Sequence, residues 1–271
     1  MIRFLMIGLV MCASVPAVSQ ECGPETPCQI DAGSYHMRIP VGEGPHPVLL
    51  WYHGHRGNGA SIHNGGGLQR DFLDQGYIVL APNGYRSGDG PRSYPARDGA
   101  PRDDVAFTFE VLKDAGARAS VDKNRIYVGG FSAGGSMAWL LACEAGEHLS
   151  GMVSVAGALR APNATTCAGL TDLPVLQIHG FGDAQVPFEG RGIRDWHQGS
   201  VWDSLKHARA ANGCRSNPDS IQIDAEFRTR TWDDSCAGAS VRLDVHDGGH
   251  GLPQGWTERA RAFFEGKTSN P

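Results

Sequence analysis

The apolar residues of this chain gather in short runs at residues 47–52, 77–82, 125–129, 152–156, 175–179 and 241–245, most of them bounded by Gly or Pro. Near-continuous apolar strands of this length suit a parallel sheet covered on both faces. Helical spacing falls between them. Val105, Phe109 and Leu112 form a stripe after Asp103 and Asp104, an apolar run covers residues 137–142, and residues 200–211 and 257–264 read as two further helices. Paired acids in a first turn have an ordinary role as cap and dipole partner, so Asp103 and Asp104 are assigned that role rather than a catalytic one. No repeat, low-complexity linker or change of composition interrupts the alternation. One doubly wound α/β domain, mostly parallel with helices on both faces, is the economical prediction for residues 20–271.

One junction in this pattern carries chemistry. Gly130-Phe131-Ser132-Ala133-Gly134-Gly135 stands between the strand at 125–129 and the helix at 137–142. A serine framed by glycines between strand and helix is the sequence form of a nucleophile elbow. The turn is sharp enough that bulky neighbours would collide, and the hydroxyl stands at a helix N-terminus, where negative charge is favoured. The competing assignment is a Gly-rich helix entry with Ser132 as its cap.

A serine nucleophile needs a base and an acid that orients the base. After such an elbow they follow in the order acid, then histidine. Asp183 lies just past the strand at 175–179, in Gly180-Phe181-Gly182-Asp183; its rivals Asp172, Asp195 and Asp203 lack that strand-end placement. His250 sits in a Gly-rich loop after the last strand and before the last helix, with His246 as its rival. Two backbone N–H groups should face the developing oxyanion. One is assigned to Ala133 and the other to His55, with Arg56 as alternative, in the loop Trp51-Tyr52-His53-Gly54-His55-Arg56-Gly57-Asn58-Gly59. That loop lacks the Gly-Lys-Ser/Thr ending of a phosphate-binding P-loop. His53, His55 and His63 lack an acidic or cysteine ligand cluster, so no metal and no cofactor is predicted. Tyr85, Tyr94 and Trp196 are assigned to the edge of the core rather than to a substrate cleft, and Arg56 and Arg92 to solvated surface rather than to a substrate carboxylate.

Composition adds a compartment. The net charge is −5 without a basic cluster, which speaks against nucleic acid as a partner. Arg3, the apolar stretch 4–10 and Ala17-Val18-Ser19 read as a signal peptide cleaved after Ser19. The stretch is well short of the ~20 residues that span a bilayer, and no later segment is apolar enough to cross one. A lipoprotein signal at Cys12 ranks second, because Met11 is large where such signals carry a small residue. Secretion or a periplasmic location follows. Six cysteines remain in the mature chain, which allows 15 pairings. Proximity favours Cys22–Cys28 and Cys214–Cys236, leaving Cys143–Cys167; free buried thiols are the alternative.

His53-Gly54, the Gly130-to-Gly135 elbow, His179-Gly180-x-x-Asp183 with Val186-Pro187-Phe188, and Gly248-Gly249-His250 occur together in this order. From about Tyr35 to Phe264 the chain resembles the polyhydroxybutyrate depolymerase-like esterases and the related feruloyl and acetylxylan esterases of carbohydrate esterase family 1. The resemblance implies an α/β-hydrolase fold, the triad Ser132, Asp183 and His250, and the Cys214–Cys236 pairing. The chain departs from that pattern at Ala133, where Asn is common, at His55, where a small residue or Cys is common, and near Leu252, where an aromatic is usual. It also lacks a Thr-rich linker and a polymer-binding domain. The function implied is a monomeric serine esterase whose partner is an ester substrate, either a small molecule, an oligomer or a plant polysaccharide ester. A peptidase on the same fold and a non-catalytic binding protein are the alternatives.

Overall fold

The computed structural model describes residues 22–63, 66–94, 101–160, 167–193 and 196–266. The signal-peptide reading and Asp195 lie outside these residues, as do the side chains of His63 and Trp196. In chain order the elements are β1 (Cys28–Ile30), β2 (Gly33–Arg38), β3 (His46–Tyr52), α1 (Gly59–His63), α2 (Gly66–Asp71), β4 (Ile78–Pro82), α3 (Asp104–Arg118), β5 (Val121–Phe131), α4 (Ala133–Ala145), β6 (Gly151–Val155), β7 (Val175–Gly180), β8 (Arg191–Ile193), β9 (Trp196–Gln198), α5 (Val201–Ala211), β10 (Ser220–Ile223), β11 (Phe227–Trp232), β12 (Val241–His246) and α6 (Trp256–Phe264).

Ten strands form one sheet in the order β1-β2-β4-β3-β5-β6-β7-β12-β11-β10, while β8 and β9 pair separately. The six central strands, β4 to β12 in that order, are parallel to their neighbours. They correspond one for one to the six apolar runs of the sequence. The strands at either side, β1, β2, β10 and β11, pair antiparallel. These four were not predicted. β10 is exposed along its whole length, so it lacks the apolar signature that burial imposes on a central strand.

Side chains alternate across the sheet, which divides the core in two. On β3, Val48, Leu50 and Tyr52 join Phe107, Val111, Met137 and Trp139 from α3 and α4 on one face. Leu49 and Trp51 join Leu68 of α2 and Trp256 and Ala260 of α6 on the other. The helix α4 is buried at twelve positions, including Ala133, Met137 and Trp139, so it is a core helix rather than an amphipathic cover. Helix α3 corrects one expectation. Its buried face carries Phe107, Val111 and Ala115, whereas Val105, Phe109 and Leu112 lie at the margin, only partly covered. The acid pair also divides its work. Asp103 caps the helix by accepting from the Ala106 amide at 2.9 Å. Asp104 is buried and paired with Arg102 at 2.7 Å.

Three disulfides join Cys22 to Cys28, Cys143 to Cys167 and Cys214 to Cys236. The second ties the far end of α4 to the segment before β7. Among the described residues no helix is long and apolar enough to cross a membrane.

Candidate active site

The parallel register aligns the carboxyl ends of β3, β5, β7 and β12, and the loops of the site leave from that edge. Tyr52 pairs with Gly130, and His246 with Gly180. Ligands bind at this edge in open α/β sheets.

Ser132 sits between β5 and α4 with φ 56° and ψ −116°. A positive φ on a residue with a β-carbon is strained and persists only where the surroundings enforce it. Two glycines make the turn possible. A β-carbon on Gly130 would come within 2.3 Å of the Gly134 carbonyl, and one on Gly134 within 2.1 Å of the Tyr52 oxygen. The hydroxyl makes no capping bond to its own helix. It donates instead to His250 Nε2 at 2.8 Å.

His250 Nδ1–H donates to Asp183 Oδ2 at 2.8 Å. Asp183 is buried, and its other oxygen, Oδ1, accepts the amides of Gln185 at 2.9 Å and Val186 at 2.8 Å. Burial pushes this carboxyl up, but the bonds from His250 and the Val186 amide outweigh it and hold the group below its ordinary range. A carboxylate only accepts, so the His250 proton is at Nδ1 and Nε2 is free to receive the serine proton. The structure thus brings together Ser132, Asp183 and His250. It does not bring His246 to the site: the His246 Nδ1 accepts the Gly248 amide at 3.1 Å, and the ring lies near Phe227. Of the rival acids, Asp172 precedes β7, at the opposite end of that strand from Asp183, and Asp203 lies in the first turn of α5.

The early loop is held by a residue whose role was not predicted. His53 is buried, and its Nε2 accepts the Gly84 amide at 3.0 Å. Its proton is therefore on Nδ1, which donates to the Gly54 carbonyl at 2.7 Å. The Gly57 amide bonds the same oxygen at 3.0 Å. The peptide is planar and trans, so fixing the Gly54 C=O aims the His55 N–H in the opposite direction. Burial pushes the His53 ring down to about 4, so it stays neutral at ordinary pH. The Arg56 amide, the alternative donor, is engaged with the Arg92 carbonyl at 2.9 Å.

Beside the elbow lies a cavity of about 350 Å³ lined by Trp51, Gly54, Phe131, Leu252 and Trp256 among others. Trp51 and Trp256 stack at 4.2 Å, and the Phe131 ring lies 5.1 Å from that of His250. The position of Leu252 lacks the aromatic expected from the resemblance, but Trp256 supplies one from the start of α6. Sequence spacing could not anticipate this wall, because its residues come from β3, β5 and α6 and read individually as core. Tyr94, by contrast, is fully buried against Tyr52 and donates to the Pro82 carbonyl, as a core-edge residue should. Tyr85 lies partly buried, with the Arg102 guanidinium 6.0 Å from its ring. Arg56 is exposed and Arg92 half-buried.

A strained serine between strand and helix, over a mostly parallel sheet with helices on both faces, defines an α/β-hydrolase. Within that class the chain belongs with the feruloyl esterases, and its residues 100–207 match the model of the phospholipase/carboxylesterase family. It is 31% identical over 210 residues to the "Probable feruloyl esterase C" of Aspergillus clavatus, covering 75% of this chain and 69% of that protein. It is 26% identical to feruloyl esterase B of Piromyces equi over 78% of this chain, but spans only 40% of that longer protein. Among solved structures, the acetyl xylan esterase from Aspergillus awamori superposes with a TM-score of 0.64 at 15% identity, over 86% of this chain and 93% of the other. That likeness supports the fold.

Proposed function

We propose that the protein is a secreted or periplasmic serine esterase, and that residues 20–271 form its single catalytic domain after removal of a signal peptide. The carrying observation is the unbroken chain Ser132–His250–Asp183, with both links at 2.8 Å. His250 takes the serine proton as Oγ attacks the ester carbonyl. The Ala133 and His55 amides stabilise the resulting oxyanion. His250 then returns the proton to the leaving alcohol, and an acyl-enzyme remains. Water attacks this intermediate with His250 again as base, releasing the acid and Ser132. Asp183 holds the tautomer and stabilises the imidazolium. The reaction uses no cofactor.

The substrate is an ester of an aromatic acid. Two observations favour this over an acetyl or hydroxybutyryl ester: the cavity that reaches the elbow at Phe131, the residue before Ser132, is lined by Trp51, Phe131 and Trp256, and two relatives are named feruloyl esterases. Three disulfides agree with an oxidising compartment. The substitution Ser132→Ala tests the mechanism. It should abolish both hydrolysis of feruloyl and p-nitrophenyl esters and labelling by a fluorophosphonate; activity or labelling that survives in the folded variant overturns the assignment.

A further inference from the structure

Behind Asp183 lies a buried histidine that the esterase reaction does not use. His179, the penultimate residue of β7, is fully buried, as are Gln177 two residues earlier and Trp139 on α4. The Trp139 indole N–H donates to Gln177 Oε1 at 2.9 Å. An indole can only donate, so the amide orientation is fixed, with Oε1 toward Trp139 and the NH₂ toward its other neighbours. That NH₂ donates to the Gly157 carbonyl at 3.0 Å and to His179 Nδ1 at 2.9 Å. His179 Nδ1 is therefore an acceptor, and its proton is on Nε2. The Nε2–H donates to the Val186 carbonyl at 2.8 Å and lies 3.5 Å from Asp183 Oδ2.

Val186 is thus gripped at both ends of its backbone. Its N–H goes to Asp183 Oδ1 and its C=O to His179. The turn from Asp183 to Val186 cannot shift without breaking one of these bonds. The other end of the chain, Trp139, belongs to the helix that begins immediately after Ser132. The hydrogen bonds therefore run from the nucleophile's helix, through the sheet, to the acid's loop. From there they return through His250 to Ser132.

We propose that Trp139, Gln177 and His179 form a buried relay that positions Asp183, with His179 locked as the Nε2–H tautomer. These are positioning residues, since none touches the reacting atoms. The relay explains why polar groups occupy a core that apolar side chains could fill. A neutral ring of the right tautomer supplies an N–H to the carbonyl and toward the carboxylate. The other tautomer would present a lone pair to two acceptors. Burial disfavours the charged form and pushes the His179 ring down, which keeps the locked ring neutral.

The role in catalysis rests on the esterase reading, so the test separates the two. Nitrogen-15 spectra of the intact protein should show His179 protonated at Nε2; protonation at Nδ1 overturns the proposal outright. Gln177→Met keeps the volume and removes the lock. It should lower kcat by about tenfold with KM little changed, because a misplaced acid costs orientation rather than substrate binding. Gln177→Glu presents an acceptor to both Trp139 and His179 and should move the His179 proton to Nδ1, with a larger loss of kcat. Unchanged kcat in folded Gln177→Met, with fluorophosphonate still labelling the parent enzyme, overturns the relay alone. No labelling of the parent overturns the esterase reading and the catalytic role with it. If neither variant folds, the spectrum of the parent decides.

Discussion

Ser132 divides the site into two halves built from different materials. On the proton-handling side, the work is done mainly by side chains: His250, Asp183 and, behind them, His179, Gln177 and Trp139, joined by hydrogen bonds of 2.8–2.9 Å, with the link from His179 to Asp183 passing through the Val186 backbone. On the acyl side, the proposed charge-stabilising group is a backbone amide, aimed by His53 through the Gly54 carbonyl, and the walls are apolar rings. The first half depends on the identity of each residue, since one missing donor or acceptor leaves a buried partner unsatisfied. The second depends on backbone geometry and shape, which several side chains could satisfy. Reaction and specificity therefore reside in different parts of the site. Chemistry should be fragile to substitution on one side, and substrate choice adjustable on the other.

The sharpest test of that contrast is Asp183→Asn. It preserves shape but removes the acceptor that sets the His250 tautomer, and it should lower kcat by roughly 10³–10⁴-fold, as in the serine-triad template. Pre-steady-state acylation with a p-nitrophenyl ester reads this directly. A fall of less than tenfold would show the two halves to be equally tolerant.

His53 gives the next effect. Its folded value of about 4 lies below the ordinary histidine value, so the unfolded chain binds the extra proton first as pH falls. The stability that burial of the neutral ring permits is present above about pH 6.5 and is lost toward pH 4, by about 3 kcal/mol from this group. Urea unfolding at pH 7 and pH 4 should show that loss in the parent protein and a smaller one in His53→Leu. The same variant frees the Gly54 peptide, so kcat should also fall, by roughly 10–100-fold. A variant with parental kcat would show that the loop holds its amide without the clamp.

The smallest effect concerns the wall. Trp256→Phe keeps an aromatic but shortens it, and should raise KM for a feruloyl ester by roughly tenfold or less while leaving an acetyl ester unaffected. Equal changes for both esters would mean that the cavity does not hold the acyl group.

Much of this was legible in the sequence, and the reasons differ by element. The six central strands announced themselves because burial on both faces imposes a near-continuous apolar run. Ser132 announced itself because a turn that brings Gly130 and Gly134 this close to neighbouring backbone admits only glycine there. Asp183 and His250 followed from chain order at strand ends. The outer strands β1, β2, β10 and β11 left no comparable signal, since a strand whose faces are not both covered need not be apolar. The stripe on α3 was misplaced for a related reason: Phe109 and Leu112 are apolar yet marginal, while the buried face includes polar Asp104 and Thr108.

The sequence alone therefore determined the fold class, the order of the parallel strands along the chain and the three residues of the candidate triad. All of these are local or ordered along the chain: apolar runs, glycine spacing, strand-end position. It took the folded chain to show that His53 bonds the Gly54 carbonyl, that Trp51 and Trp256 meet in one wall, and that hydrogen bonds connect Trp139, Gln177 and His179 in series toward Asp183. Those contacts join residues up to 205 positions apart, such as Trp51 and Trp256. A hydrogen bond's donor and acceptor roles, or a ring's partner, depend on what the fold places opposite it, and no pattern along the chain records that.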